Sequence, residues 1–278
     1  MVPHIPPQNG LQVEAIAALL PPEARRWFDL RVVESTDSTN TDLMRDAARL
    51  PSGTVLAAEH QTAGRGRRGR SWIAPPAGSL AFSVLWKFRG SAAMLSGLSL
   101  AVGIAVARAL DECGARDIAL KWPNDLLVPR GPGWAKLGGI LIELAGEPAS
   151  AVSAVIGIGL NLDLGAAAGD IDQPVADLAG AGCDASRSTV LAAVLRHLAV
   201  VLPAFATGGF APFANEWNQR HAWRGRHVQL AGEDSSAAAS GIARSVAADG
   251  ALLIETPDDV LRIVSGDVSL RITPLNRP

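Results

Sequence analysis

The sequence has few cysteines, few lysines and a small net charge, and each of these limits the functions that the protein can have. Its 278 residues include 25 basic and 27 acidic side chains, a formal net charge of −2. A protein that coats nucleic acid needs a broad basic surface, so that class is disfavoured. The two cysteines, Cys113 and Cys183, are far apart and lack C-x-x-C spacing. We therefore predict reduced thiols in a cytoplasmic protein.

The sequence also predicts neither a signal peptide nor a membrane span. The first ten residues, MVPHIPPQNG, have no basic region followed by an apolar run, so no signal peptide is predicted. Residues 92–110 are long and apolar enough to resemble a membrane span, but Ser96, Ser99 and Arg108 interrupt them. No second segment of this kind is expected. A buried core helix is therefore predicted, with a membrane span as the alternative.

The spacing of apolar residues predicts an α+β protein with a mixed or antiparallel sheet and helices on one face. Short links rich in Gly and Pro favour antiparallel pairing, and the short apolar runs near the C-terminus are typical of a small β-barrel. The predicted domains are an N-terminal extension over 1–30, a large α+β domain over 31–222 and a β domain over 223–278. The predicted strands of the large domain are 31–35, 54–59, 79–88, 118–122, 126–128, 136–144 and 151–162. Four predicted helices are 11–20, 92–110, 188–205 and 210–221. A further helix is predicted to begin at Thr39, which caps it, and Asp42 completes a capping box.

Residues 64–72, GRGRRGRSW, hold three glycines and four arginines, and we call them the arginine loop. Their spacing nearly matches two phosphate-binding motifs, but both motifs need a helix to follow. Pro75, Pro76 and Gly78 exclude that helix. Four arginines repel one another unless an anion neutralises them, so the loop is predicted to be mobile when empty and ordered when it closes on a polyanion. A solvated surface loop and an RNA-binding Arg/Gly segment remain open as alternatives.

Lysine is concentrated in two short motifs. Only three of the 25 basic residues are lysines, and two of these lie in KWPNDLL, residues 121–127, and KLGGILIE, residues 136–143. In the first motif, Asn124 offers an amide that can hydrogen-bond a base or a ribose, and Asp125 offers a carboxylate for Mg²⁺ or a hydroxyl. The alternative is an ordinary tight turn. The compact ammonium groups of Lys121 and Lys136 indicate a chemical requirement for lysine at these points.

Taken together, six motifs in order resemble the biotin protein ligases. They are STN at 38–40, QTAGRGRRGRSW at 61–72, KWPNDLL at 121–127, KLGGILIE at 136–143, GIGLNL at 157–162 and SGDVSLRI at 265–272. The resemblance implies a catalytic domain like that of class II aminoacyl-tRNA synthetases, followed by an SH3-like β-barrel. It also implies that biotin attacks the α-phosphate of ATP to give biotinyl-5′-AMP, which a lysine of a biotin carboxyl carrier protein then attacks.

The resemblance also assigns roles to individual residues, with Lys136 and Arg67 as the catalytic pair. Lys136 would lie between the biotin carboxylate and the α-phosphate, where its charge offsets their repulsion. Asp267 stands where the family has glutamate, and Asp125 is the candidate Mg²⁺ ligand. The implied biotin-binding residues are Ser38, Thr39, Asn40, Gln61, Gly64, Arg65 and Lys136. The implied nucleotide-binding residues are Arg67, Arg70, Trp72, Asn124, Asp125, Asn161, Asp267 and Arg271.

Partners follow from the same resemblance. The expected acceptor is the biotin carboxyl carrier domain of acetyl-CoA carboxylase or a similar protein, and a homodimer paired through sheet edges is compatible with the family. Some members carry an N-terminal helix-turn-helix domain, but only about 30 residues precede Arg31 here, with four prolines by residue 21. We therefore expect neither DNA nor membrane as a partner. The alternatives are a lipoate–protein ligase, whose dithiolane substrate would leave Ser38, Thr39 and Gln61 surplus, and a nucleic-acid-binding protein.

Overall fold

The fold is built on a seven-stranded mixed sheet. The computed structural model describes residues 10–73, 75, 77–145, 151–171, 173–231, 240–264 and 269–272. The strand order is β1-β2-β3-β7-β6-β5-β4, in which β1 and β2 are parallel and every other pair is antiparallel. This confirms the predicted sheet type. The strands are β1 (Asp29–Thr36), β2 (Thr54–Gln61), β3 (Ser79–Arg89), β4 (Ala119–Lys121), β5 (Asp125–Arg130), β6 (Gly133–Ala145) and β7 (Ala151–Asn161).

Two long apolar helices cover one face of this sheet. They are α4 (Leu98–Glu112) and α5 (Arg187–Gly208), and they pack against each other. Within the described residues, Ala92–Glu112 and Arg187–Gly208 are both long and apolar enough to cross a membrane, and each is 61% buried inside the protein. The expectation of one such segment was therefore wrong, because α5 is a second. The buried helix predicted around residues 92–110 is confirmed, since α4 contributes most of its side chains to the core.

A shorter helix, α3 (Thr39–Asp46), lies on the opposite face of the sheet. Its apolar residues Leu43 and Ala47 pack against Leu56, Leu85 and Val155 in a small separate cluster. Because side chains alternate between the two faces of a strand, this face also carries the polar and glycine positions of β3, β6 and β7. The helices α4 and α5 thus occupy one face as predicted, and α3 borders a cleft on the other.

Residues 10–30 pack onto the large core. They form α1 (Val13–Leu19) and α2 (Pro22–Arg25), and α1 contacts α5. Ile16 and Ala24 are buried in the main hydrophobic cluster. The backbone N–H of Leu11 donates to Glu59, which also pairs with the buried Arg187. The described part of the N-terminal segment is therefore held by both apolar packing and charge.

The C-terminal residues form a second, smaller antiparallel sheet, as predicted. Its order is β11-β10-β9-β8-β12, and β11 and β12 do not pair with each other in the part of the chain that the structure describes. Closure of this sheet into a barrel is therefore not observed among the residues that the structure describes. The domain boundaries proposed above remain a prediction. The elements of this region are α6 (Ala214–Gln219), β8 (His227–Ala231), β9 (Ser240–Val246), β10 (Leu252–Glu255), β11 (Val260–Ile263) and β12 (Ser269–Ile272).

Candidate functional site

A cleft opens beside α3 above a floor of glycines. Gly139 of β6 pairs with Gly159 of β7, and Leu141 pairs with Gly157, so these positions share one face. A Cβ atom on Gly157 would fall 2.3 Å from Oδ1 of Asn40, and one on Gly159 would fall 2.6 Å from Cε2 of Trp72. The glycines therefore make room for side chains from other elements. The predicted site residues that line this cleft are Ser38, Thr39, Asn40, Gln61, Arg65, Arg67, Arg70, Trp72, Asn124, Asp125 and Lys136.

One end of the cleft holds buried, uncharged polar groups. Ser38, Thr39 and Asn40 are each 3% exposed. The Gln61 side-chain oxygen accepts from the Thr39 backbone N–H at 2.8 Å and from its hydroxyl at 3.1 Å. The Thr39 hydroxyl also lies 2.7 Å from Oγ of Ser83, which donates to Oδ1 of Asn40 at 2.5 Å. This network fixes the geometry of neutral donors and acceptors in a buried part of the cleft.

The start of α3 differs from the sequence prediction for a physical reason. Ser38 is the residue that precedes the helix, in an extended conformation, and its side chain makes no capping bond. Thr39 is the first helical residue, so its predicted role as the cap with Asp42 was wrong. Its N–H is satisfied by Gln61 from β2, 22 residues away in sequence. Because the partner comes from another strand, a local sequence pattern could not reveal it.

A charged pair closes the neutral end of the cleft. Nδ2 of Asn40 donates to Oε2 of Glu143 at 2.9 Å, and the Arg65 guanidinium lies 3.0 Å from Oε1 of the same carboxylate. Ser83 and Glu143 were not predicted as site residues. Glu143 lies inside the motif KLGGILIE, and Ser83 is a hydroxyl in the middle of the mostly apolar stretch LAFSVLW, residues 80–86. A polar residue within a buried strand is the signal that could have identified Ser83.

The other end of the cleft is cationic. Lys136 on β6 places Nζ 2.7 Å from Oδ1 of Asp125, and Nζ of Lys121 lies 3.7 Å from Oδ2. Burial lowers the pKa of Lys121; the nearby Lys136 and Arg70 act in the same direction, and Asp125 opposes them. The Lys121 ammonium also lies 4.5 Å from the centre of the Trp223 ring. One carboxylate is thus shared between two lysines.

The arginine loop is folded over this cationic end. The N–H of Gly66 donates to the carbonyl of Arg70 at 2.7 Å, and Arg65 bridges Ser71 in antiparallel fashion. A short 3-10 turn spans Arg67–Gly69 between these contacts. A guanidinium N–H of Arg67 donates to Oδ1 of Asn124 at 3.3 Å, while Nδ2 of Asn124 donates to the carbonyl of Ile140 at 2.9 Å. The loop thereby brings Arg65, Arg67 and Arg70 to the cleft.

Trp72 forms one wall of the cleft. Its indole packs over the glycine floor, and the Lys136 ammonium lies 5.7 Å from the ring centre. The indole Nε1 is buried and has no hydrogen-bond partner among the described residues. A flat apolar ring beside cations suits an aromatic base attached to phosphates.

Four predicted residues need separate mention, because two lie outside the described cleft wall and the side chains of the other two are not described. Gly64 lies just outside, where its carbonyl accepts from the N–H of Trp72 at 2.8 Å. Asn161 is buried behind the cleft, and its Nδ2 donates to the carbonyls of Lys136 at 3.2 Å and Ala176 at 2.9 Å. Arg271 belongs to β12, opposite Gln229, and Asp267 lies outside the described residues. The roles assigned to these four residues remain predictions.

The described residues contain no group of three or more His, Cys, Asp and Glu side chains that could hold a metal ion. Asp125, the predicted Mg²⁺ ligand, has one oxygen on Lys136 and the other near Lys121. An ion bound here would need most of its oxygen ligands from a phosphate-bearing ligand. Asp125 as a metal ligand therefore stays a prediction.

Comparison with known proteins gives consistent matches. Residues 32–161 match the Biotin/lipoate A/B protein ligase family, and residues 225–271 match the Biotin protein ligase C terminal domain. The chain is 36% identical to the bifunctional ligase/repressor BirA of Escherichia coli over 86% of this chain and 73% of that protein. It is 34% identical to the biotin--[acetyl-CoA-carboxylase] ligase of Mycobacterium tuberculosis over 87% of this chain and 89% of that one. The structure of a biotin protein ligase from Aquifex aeolicus in complex with biotin and ATP aligns with a TM-score of 0.75 and 30% identity, covering 88% and 99% of the two chains.

Proposed function

The chain belongs to the biotin protein ligase family, and from this membership and the geometry of the cleft we infer its reaction. It is an ATP-dependent ligase that activates biotin as biotinyl-5′-AMP and transfers the biotinyl group to a lysine of a biotin carboxyl carrier protein. The reaction is a post-translational biotinylation of protein. The observation that carries this function is the polarity of one cleft, with buried neutral hydrogen-bonding groups at one end and Lys136, Arg67 and Arg70 at the other.

The neutral end fits the ureido ring of biotin. An uncharged polar ring buried in a pocket needs donors and acceptors in fixed positions, because unpaired polar groups are costly there. Ser38, Thr39, Asn40 and Gln61 supply them and are already ordered by hydrogen bonds to one another and to Ser83. Arg65, held by Glu143, closes this end.

The cationic end fits the biotin carboxylate and the phosphates of ATP. In the first step a carboxylate oxygen forms a bond to the α-phosphorus, and the bond from that phosphorus to the pyrophosphate oxygen breaks. Lys136 lies where it can offset repulsion between the two anions and stabilise charge on phosphorus as the bonds change. Arg67 and Arg70 are placed to hold the phosphates, and Trp72 to stack on the adenine.

In the second step the cleft has only to hold the mixed anhydride in place for the acceptor lysine. The neutral amine of the acceptor lysine attacks the carbonyl carbon of the mixed anhydride. The amide bond forms as the bond from that carbon to the phosphate oxygen breaks, AMP leaves, and the nitrogen loses one proton. Mg²⁺ accompanies ATP as the phosphate counter-ion, and Asp125 is the candidate protein oxygen that would help to hold it. The arginine loop over the cleft would shield the reactive anhydride from water during the interval between the steps.

We also propose the setting in which the enzyme acts. Its acceptor is the biotin carboxyl carrier domain of acetyl-CoA carboxylase or a similar protein. DNA and membranes are not partners, and the free thiols Cys113 and Cys183 support a cytoplasmic location. A homodimer formed through sheet edges remains part of this proposal.

Exchange of labelled pyrophosphate into ATP tests the function, because adenylation is reversible and requires no carrier protein. The purified protein should catalyse the exchange when biotin and Mg²⁺ are present. It should not do so when lipoate replaces biotin or when both acids are left out. Exchange with lipoate alone would identify a lipoate ligase. Salt-sensitive binding of nucleic acid without any exchange would point instead to the nucleic-acid alternative.

A further inference from the structure

Lys121 is a partly buried cation that the reaction described above leaves unused. Its side chain is 22% exposed, and it does not line the cleft. The cations Lys136 and Arg70 are close enough to disfavour its charge. Burying a third cation beside two others is costly, so its position calls for a compensating interaction.

Two contacts hold the Lys121 ammonium. Lys121 pairs with Asp125 across the β4–β5 hairpin, and Nζ lies 3.7 Å from Oδ2 of that carboxylate. On the other side Nζ lies 4.5 Å from the centre of the Trp223 ring, which is 7% exposed. A cation over the face of an indole is attracted by the ring quadrupole, and more strongly when both are shielded from water.

Trp223 is itself held in place by the end of the main sheet. The N–H of Leu120 donates to the carbonyl of Arg220 at 2.8 Å, and the N–H of Ala222 donates to the carbonyl of Leu120 at 2.9 Å. These bonds fix the chain directly before Trp223 alongside β4, which ends at Lys121. A continuous series of contacts thus runs from Trp223 through Lys121 and Asp125 to Lys136.

We propose that Lys121 is a positioning residue that keeps Asp125 charge-balanced, so that Lys136 can leave this carboxylate and engage the anions of the substrates. The inference rests on the proposed function. Asp125 is 16% exposed and bonds Lys136 at 2.7 Å through Oδ1. If Lys136 turned to the biotin carboxylate before Mg²⁺ arrived with ATP, the mostly buried Asp125 carboxylate would lose its partner unless a second cation lay nearby. Lys121 faces the other oxygen and removes that penalty.

This role separates Lys121 from Lys136. Lys136 lines the cleft and contacts the reacting groups, whereas Lys121 acts through Asp125 from behind the wall. Its loss should slow the chemical step without weakening substrate binding much, since binding sites at both ends of the cleft stay intact. Its effect should also require the carboxylate of Asp125.

A double-mutant cycle in the full chain tests the proposal. Lys121→Met is made in the native background and with Asp125→Asn, and the kcat and KM of biotin-dependent pyrophosphate exchange are measured. In the native background kcat should fall by about tenfold or more, with both KM values within about threefold. In the Asp125→Asn background the same substitution should change kcat by less than about twofold. Lys87→Met, which removes the remaining lysine on β3, is the matched control and should keep wild-type kinetics.

Equal losses in both backgrounds, an effect on KM alone, or an unchanged kcat would overturn the proposal. If Lys121→Met does not fold, as judged by its melting curve, Lys121→Arg replaces it. The arginine keeps a cation between Trp223 and Asp125, so at least about a third of the wild-type kcat should remain. A larger loss in a folded Lys121→Arg protein would also overturn the role. Wild-type protein without biotin-dependent exchange would instead refute the proposed function itself.

Discussion

The indole of Trp72 lies directly on the bare Cα of Gly159, where a methyl group would fall 2.6 Å from Cε2 of the ring. The contact joins the arginine loop to β7, although the two residues are far apart in sequence. It makes Gly159 a determinant of the position of the indole. A side chain on Gly159 would push the ring into the cleft.

Gly159→Ala should therefore raise the KM for ATP and leave the KM for biotin nearly unchanged. Stacking of a base on an aromatic ring is worth about 1–3 kcal/mol, so an increase of about tenfold or more is expected in the exchange assay. Gly169→Ala is the matched control, because a Cβ atom there meets nothing within 4 Å. An unchanged KM for ATP would mean that Trp72 does not stack on the adenine.

Lys136→Ala should abolish most adenylation with little loss of stability. The substitution removes a charge from beside two anions, and preorganised contacts of this type are worth roughly 3–4 kcal/mol in the transition state. Lys121 remains beside Asp125 in this variant, so the carboxylate is not left without a positive charge nearby. Pyrophosphate exchange and a melting curve measure the two effects. Near-normal exchange with an unchanged melting curve would leave Lys136 without a catalytic role.

Glu143→Gln should weaken biotin binding selectively. The carboxylate pairs with Arg65 and accepts from Asn40, and both partners border the neutral end of the cleft. Loss of a charge-assisted contact of this type costs about 1–3 kcal/mol, so the KM for biotin should rise by about tenfold while that for ATP stays constant. Glu255→Gln removes the comparable pair with Arg244 on the second sheet and serves as the control. A similar rise in both KM values would contradict the assignment.

The arginine loop should resist trypsin only when ligands are bound. Its four arginines, Arg65, Arg67, Arg68 and Arg70, are potential cleavage sites, and closure on biotin and ATP would order the loop and neutralise the charge. Saturating biotin with ATP should slow cleavage there strongly. Cleavage after Arg49, in the exposed turn that follows α3, should change little and provides the reference. Identical rates of cleavage in the loop with and without ligands would rule out a lid.

His221 should make the protein less stable in mild acid. The ring is 6% exposed and stacks near Trp217 at 4.8 Å between ring centres, and neither ring nitrogen has a hydrogen-bond partner among the described residues. Burial, assisted by the charge of Arg224, lowers the pKa of His221 to about 4. Below the ordinary pKa of 6.5, His221 is protonated in the unfolded chain but stays neutral in the folded protein until the pH approaches 4. The free energy of unfolding is therefore highest above pH 6.5 and falls between pH 6.5 and 4.

The size of this effect follows from the same shift. The free energy of unfolding of the wild type, relative to that of His221→Phe, should fall by about 3 kcal/mol from pH 7 to pH 4. Denaturant unfolding across this range measures the difference and cancels the contribution of other titrating groups. A difference that stays constant with pH would show that the ring can accept a proton in the folded state.

Most elements of the fold could be predicted, because each depends on a local pattern. The strands β3 and β7 are mostly apolar in sequence, and the short links at Asn124 and in the second sheet favour antiparallel pairing. What failed depended on contacts distant in sequence. Thr39 is the first helical residue instead of the cap, and its N–H is satisfied by Gln61 from a strand distant in sequence. Among the described residues β11 and β12 do not pair, and no local pattern tells whether the outer strands of a sheet meet.

The candidate site shows the same division. Residues in motifs, such as Lys136 and Asn40, were predicted and line one cleft. Ser83 was missed because the sequence alone does not show that Thr39 and Asn40, at the start of α3, lie against its hydroxyl. Glu143 was missed for a similar reason, since its partner Arg65 lies 78 residues away.

The short strand β4 ends the main sheet, but its outer edge is not open. Leu120 exchanges backbone hydrogen bonds there with Arg220 and Ala222, from the stretch that leads to the second sheet. An edge strand with unpaired backbone groups is a template on which another chain can add a strand and begin to aggregate. The connection between the two sheets therefore also protects the protein against self-association at this end, and a chain cut before Arg220 would lose that protection together with its C-terminal sheet.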